Sequence, residues 1–320
     1  MTIAPAFTPA APPLNPAKFR DPLVTAKGEA RAAVAFRGLK TLWLNTGTRC
    51  NLECVGCYIE SSPKNDRLAY LTAAEARVFF EEIARDRLPV EDIGLTGGEP
   101  FMNPDIYQIM GEALGRGFRV LVLTNAMRPM LRFKERLMAL HRAHAGRLAV
   151  RVSIDHPEPE RHEMLRGPGS WAAMIEGVRW LIAHGFTVHV AGRTVFGEPE
   201  DELRAAYARR FAELGLAIDA DDPSVLVLFP EMDASRDVPE ITTACWDILK
   251  VRPEDMMCAS SRMVVKRQGA ASPAVVACTL LPYDPQFELG PTLAAAARPV
   301  RLNHPHCARF CVLGGASCSR

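Results

Sequence analysis

No long apolar run occurs anywhere in this 320-residue sequence. A span of about 18 or more uninterrupted apolar residues is what a transmembrane helix needs, so none is expected. The first twenty residues, MTIAPAFTPAAPPLNPAKFR, lack the basic start and apolar centre of a signal peptide and read as an irregular Pro/Ala-rich arm. Both absences lead to an expectation of a cytoplasmic protein. Net charge is nearly absent too: a formal +1 provides no global field to attract nucleic acid or an anionic membrane, and neither is expected as a partner. Cysteine is missing between Cys57 and Cys245. The nine cysteines present fall into two groups, three at positions 50–57 and six between 245 and 318. A reducing compartment argues against a disulfide framework and the odd count against simple pairing, which leaves metal ligation, catalysis or buried apolar thiols.

Between residues 41 and 230, short β-rich runs alternate with amphipathic helical stretches, the pattern of βα units around a parallel sheet. Six strands are expected: TLWLNTG from Thr41, IGLTGGE from Ile93, RVLVLTN from Arg119, LAVRVSID from Leu148, TVHVAGRTV from Thr187 and SVLVLFPEMD from Ser224. Their near-continuous apolar content suits strands covered on both faces. Thr72 and Glu75 form a capping box ahead of Ala76, Phe79, Phe80 and Ile83 at helical spacing. Ser170 is expected to cap a second helix, whose apolar stripe includes Trp171, Met174 and Val178 and which Gly185 ends. The expected fold class is α/β, a partial (β/α)6 TIM-like barrel with a small cysteine-rich C-terminal extension. The divisions are an arm at 1–38, a core at 39–232 and a tail at 233–320. Each strand run ends in something chemically unusual, and in such barrels the active site lies at the mouth formed by the strands' C-terminal ends.

The loop RCNLECVGCY spaces three thiols as C-x3-C-x2-C. Three thiolates on one loop suit a soft metal site. Structural zinc wants four ligands, usually from paired C-x2-4-C units, and no fourth is evident in the barrel region. Three cysteines on a four-iron cubane leave one iron open, a reactive arrangement. Buried thiols acting as small hydrophobes are the structural alternative.

C-x3-C-x2-C after a first strand, with GGEP ending the second, resembles the radical S-adenosylmethionine (SAM) superfamily. The chain departs from the family pattern in having Gly56 where an aromatic or His residue usually precedes the third cysteine, with Tyr58 just after it. The resemblance implies a [4Fe–4S] cluster on Cys50, Cys54 and Cys57, with SAM chelating the open iron through its amino and carboxylate groups. It also implies reductive cleavage of SAM to a 5′-deoxyadenosyl radical that takes hydrogen from a substrate, and an electron donor such as flavodoxin or ferredoxin. Carried over by position, Gly97, Gly98 and Glu99 would meet the methionyl amino group, a charge-assisted contact. Thr124, Asn125, Ser153 and Asp155 fall where the family contacts the ribose hydroxyls. Arg193 suits the methionyl carboxylate by its bidentate geometry. The structural alternatives are a turn residue for Asn125, a buried hydroxyl for Ser153 and an ion pair for Arg193.

In the tail, CASSRMVVKRQGAASPAVVAC reads as a hairpin with a cysteine at each outer end, and HPHCARFCVLGGASC as a ligand loop. Arg262, Lys266 and Arg267 are expected on an exposed face of that hairpin, and His304 and His306 in a solvent-facing turn. The tail resembles the SPASM and twitch modules, which implies auxiliary [4Fe–4S] clusters. Spacing and count favour one such second cluster, with ligands drawn from Cys258, Cys278, Cys307, Cys311 and Cys318, and Cys245 as the spare. Structural zinc is the alternative there. Enzymes with such tails often modify ribosomal peptides and commonly carry a leader-binding domain before the barrel. With about forty residues ahead of the first strand, a length at the lower limit for an independent domain, a small-molecule substrate is favoured over a peptide. The alternative to an enzyme is a non-catalytic iron–sulfur or zinc protein acting as a redox or metal-binding module.

Overall fold

The computed structural model describes residues 12–315, so Cys318 lies outside the described residues. All six expected strands form. They are β2 (Thr41–Asn45), β3 (Asp92–Thr96), β4 (Arg119–Thr124), β5 (Leu148–Ser153), β6 (Thr187–Arg193) and β7 (Leu226–Phe229), following a two-residue β1 (Ala33–Val34). They pair in sequence order and all in parallel, from Thr41↔Asp92 between β2 and β3 to Val190↔Leu226 between β6 and β7. Parallel neighbours need crossovers, and helices supply them. These are α1 (Ala73–Asp86), α2 (Ile106–Gly115), α3 (Arg128–Leu131), α4 (Lys134–Ala143), α5 (Pro159–Arg166), α6 (Ser170–Ala183) and α7 (Glu200–Glu213). The fold is thus the α/β partial barrel with a cysteine-rich C-terminal region.

Local chemistry sets the helix ends. The Thr72 side chain accepts from Glu75 N, and the Glu75 carboxylate accepts from Thr72 N, the reciprocal capping box. Ser170, expected as a cap, is instead the first helical residue of α6: Gly169, at φ +75°, precedes it, and the Glu163 carboxylate accepts from Trp171 N at 3.1 Å. A glycine reaches that left-handed conformation without strain, so a borrowed carboxylate replaces the local cap. Between β2 and β3, Trp43 lies opposite Gly94, and a Cβ on Gly94 would overlap the indole ring.

The tail departs from a free-standing appendage. The hairpin forms as expected, with β8 (Ser261–Val265) antiparallel to β9 (Ala274–Val276), but β8 also pairs in parallel with β2, Thr41↔Ser261 to Leu44↔Val264. With β10 (Glu288–Gly290), the sheet has nine strands in the order β10-β9-β8-β2-β3-β4-β5-β6-β7. β11 (Val300–Arg301) pairs with β1, and Arg31 binds Glu240 at 2.5 Å in a buried ion pair, so the N-terminal arm is strapped to the tail. A short helix α8 (Cys245–Leu249) and a π-helical turn, Cys307–Leu313, complete the chain. Arg262, expected to be exposed, is 1% exposed because β8 is an interior strand of the sheet. Lys266 pairs with Glu75 at 2.6 Å and Arg267 with Glu288 at 2.6 Å. Among the described residues no helix is long and apolar enough to cross a membrane.

Candidate active site at the barrel mouth

The loop after β2 is held on three sides. On one, the GGE turn clasps its start: Gly98 N donates to Gly47 O at 2.8 Å and Glu99 N to Arg49 O at 3.1 Å, while Asn103 Nδ2 donates to the Thr46 and Leu71 carbonyls, both at 2.9 Å. On another, Val55 N donates to Leu165 O at 2.8 Å at the end of α5, and Arg193 Nη1 donates to Val55 O at 2.8 Å. On the third, the tail closes in, with Ala69 N donating to Lys266 O at 2.7 Å and Tyr283 OH to Ile59 O at 2.7 Å.

The pinned loop lines a cavity of about 160 Å³ at the C-terminal ends of the strands. Cys50, Cys54 and Cys57 form one wall. The same cavity is lined by Gly97 and Gly98 just after β3, Thr124 and Asn125 at the end of β4, Ser153 and Asp155 at the end of β5, and Arg193 of β6. Of the residues singled out for the cluster and SAM, only Glu99 stays out of the cavity wall.

Glu99 is 2% exposed, and its carboxylate is fully engaged. Thr124 Oγ1 donates to both of its oxygens at 2.8 and 3.0 Å, Asn125 N to one at 2.9 Å and Phe101 N to the other at 3.1 Å. The last bond makes Glu99 the N-cap of the turn Pro100–Met102. Burial outweighs these donors and pushes the carboxyl up to about 7. Glu99 therefore fastens β4 to the GGE turn instead of presenting an acceptor to the cavity.

Asp155 is likewise committed. Its two oxygens accept from Arg166 Nε and Nη2 at 2.9 and 3.0 Å, and the guanidinium holds this buried carboxyl below its usual range against the opposing effect of burial. Asn125 Nδ2 donates to Asn51 Oδ1 at 2.9 Å and lies 4.0 Å from the Cys50 sulfur. Arg193 Nη2 is 3.8 Å from Glu231.

Arg166 went unnoticed in the sequence. It sits in the cavity wall with its side chain 14% exposed, close enough to Cys50 and Cys54 to favour their thiolates. Burial is the larger effect: it pushes Cys50 up to about 12 and raises Cys54. Leu52 N also donates to the Cys50 sulfur at 3.4 Å. Without metal these thiols stay protonated, and ligation would release the protons. Three soft donors, an adjacent guanidinium and N–H groups aimed at sulfur fit an anionic thiolate-bound cluster.

In the tail, Cys258, Cys278, Cys307 and Cys311 line a second, largely apolar cavity with Met257, Leu302 and Phe287. His306, expected to face solvent, is 7% exposed and lines that cavity. Cys245 lies away from it, its sulfur accepting from Thr242 N at 3.3 Å. Among the described residues no three His, Cys, Asp or Glu side chains close on a single ion. A cubane has a different requirement, since each ligand reaches a separate iron.

Phe229, in the wall of the first cavity, stacks on Phe310, which lies in sequence between Cys307 and Cys311, at 5.1 Å between ring centroids.

The chain is 34% identical over 133 residues to the AdoMet-dependent heme synthase of Methanosarcina barkeri, covering 41% of this chain and 36% of that protein. It is 33% identical over 149 residues to AlbA, the antilisterial bacteriocin subtilosin biosynthesis protein of Bacillus subtilis, covering 45% and 30%. The chain thus spans about a third of the length of these curated relatives. The structure of Streptococcus suis SuiB bound to S-adenosylmethionine matches with a TM-score of 0.56 over 79% of this chain and 63% of that one; at 11% identity the likeness is one of fold. The family model described as the radical SAM superfamily matches residues 44–209, more than half of the chain. The chain belongs to the radical SAM superfamily.

Proposed function

We propose that the protein is a radical SAM enzyme with Cys50, Cys54 and Cys57 as ligands of a [4Fe–4S] cluster and with SAM held across the barrel mouth. The observation that carries the reading is the convergence of the three thiols with the Gly97–Gly98 turn, Ser153 and Asp155 on one cavity. When bound, the cluster and SAM supply the chemistry: one electron cleaves SAM to methionine and a 5′-deoxyadenosyl radical that abstracts hydrogen from the substrate. The chain's own residues position and shield. The backbone of Gly97 and Gly98 would hold the methionyl group, while Ser153 and the Asp155–Arg166 pair would supply polar groups from the ends of β5 and α5. Arg193 braces the cysteine loop through Val55 O and offers its remaining N–H groups to a carboxylate. Glu99 acts from behind, as a positioning residue. Ile59, Leu123, Phe229 and Met232 give part of the lining an apolar character that suits an uncharged C–H-bearing segment of a small molecule or peptide.

The same reading assigns residues 1–38 to the arm, 39–232 to the core and 233–320 to the tail. The tail would hold one auxiliary [4Fe–4S] cluster on Cys258, Cys278, Cys307 and Cys311, with a flavodoxin or ferredoxin as electron donor. Anaerobic reconstitution followed by SAM and a strong reductant should yield 5′-deoxyadenosine, and Cys54→Ala should yield none. Lack of deoxyadenosine from fully loaded wild-type protein would sink the enzymatic reading. Iron counts test the tail separately: about 8 per chain for two clusters, about 4 for one. Metabolite differences between wild type and Cys54→Ala read out the substrate.

A further inference from the structure

Among the described residues, Arg262 is a buried cation without an anion. It is 1% exposed, and all of its bonds run to carbonyls: Nε to Ala296 O at 2.9 Å, Nη1 to Cys258 O and Ser261 O at 2.6 Å each, and Nη2 to Arg298 O at 2.9 Å. Among the described residues no carboxylate pairs with it; the groups that favour its charge are the thiols of Cys258 and Cys278, and Arg298 opposes it. The Phe36 ring lies 4.4 Å from Cζ and adds a quadrupolar contact. A buried guanidinium without a counterion costs several kcal/mol. Beside it, Cys258, whose carbonyl accepts from Arg262 Nη1, lines the tail cavity together with Cys278. Each charge on its own is unfavourable there, and the two together compensate. A cubane held by four thiolates is a net anion in the place where the missing countercharge belongs.

We propose that Arg262 is the built-in countercharge of the tail metal centre and sets its reduction potential, holding it higher than the apolar cavity alone would allow. The inference rests on the auxiliary-cluster reading above. A fixed positive charge stabilises the reduced, more negative cluster, so removing it lowers the potential. Arg262 is not part of the wall of the barrel-mouth cavity and acts as a positioning residue for the cluster's field.

The test is a redox titration of the reconstituted full chain, followed by electron paramagnetic resonance, for wild type, Arg262→Lys and Arg262→Met at matched iron content. In Arg262→Met the tail-cluster wave should shift to lower potential while the wave of the cluster on Cys50, Cys54 and Cys57 stays in place. Arg262→Lys should restore the wild-type position. If Arg262→Met fails to load the tail but Arg262→Lys loads it, charge is again the requirement, and the inference stands. An unmoved potential in a fully loaded Arg262→Met overturns it, as does equal loss of the tail cluster in both variants, which marks a structural role alone. About 4 irons per wild-type chain, or zinc in the tail, removes the auxiliary-cluster reading and this inference with it, and iron counting separates that failure from an unmoved wave.

Discussion

Gly98→Ala tests whether the GGE turn works as a backbone clasp. An added Cβ would overlap the Arg49 carbonyl oxygen and come within 2.6 Å of its carbon and 2.7 Å of Thr48 O. All of these are backbone atoms of the segment running into Cys50, with no side chain to swing aside. Relief requires parting the two segments, which sacrifices Gly98 N to Gly47 O and Glu99 N to Arg49 O. Two such bonds are worth about 1 kcal/mol each, and forced overpacking adds about 1–3 kcal/mol, so the total is about 3–5 kcal/mol. That is a large share of a domain stability of about 5–15 kcal/mol. Gly56→Ala is the contrast. Its Cβ meets Arg193 Nη2 at 2.6 Å, the far end of a flexible side chain, and the backbone at φ +68° adds about 1–2 kcal/mol. Urea unfolding of the metal-free proteins under reducing, anaerobic conditions should rank Gly98→Ala well below Gly56→Ala. After reconstitution, Gly98→Ala should lack the cysteine-loop cluster. A Gly98→Ala protein with the wild-type midpoint and full iron, or a reversed ranking, would refute the clasp.

Two further outcomes follow from the buried charges. Asp155→Ala strands the Arg166 guanidinium, and breaking such a pair costs about 3–5 kcal/mol; the double variant Asp155→Ala/Arg166→Met should recover a good part of this in urea unfolding, and strict additivity would show that the two residues are uncoupled. Glu99 ionises at about 7 when folded and near 4.5 when unfolded. The native state therefore keeps the extra proton between those values, and the contribution is present below pH 4.5 and lost as pH rises to about 7, a fall of about 3 kcal/mol. Glu99→Gln should lack that part of the slope when unfolding is compared at pH 5 and pH 8, and identical slopes would show that the carboxyl titrates normally.

The barrel was readable because strands buried on both faces are continuous apolar runs, and the thiol spacing was readable because ligands on one loop stay close whatever the tertiary fold. What escaped was decided by neighbours distant in sequence. The run RMVVKR announced a hairpin, but its pairing with β2 depends on an edge more than 200 residues earlier, which local periodicity does not encode. Arg262 looked like a surface charge for the same reason. Arg166 ends the polar helix α5, and its bond to Asp155, eleven residues earlier, depends on how that helix folds back over the end of β5, which local periodicity does not encode either. Glu99 carried a motif chemistry that aimed it at a cation, yet the turn that Pro100 starts rotates it onto Phe101 N–H and β4.

The β2–β8 pairing also has a consequence for handling the protein. β2 carries the cysteine loop, and without β8 its open side would be a bare sheet edge of buried residues, Thr41–Asn45, with unmet N–H and C=O groups. Such an edge is a template for pairing with another chain. A fragment cut before residue 261 would therefore be expected to self-associate through β2, and its insolubility would say nothing about whether the thiols at 50–57 can hold iron.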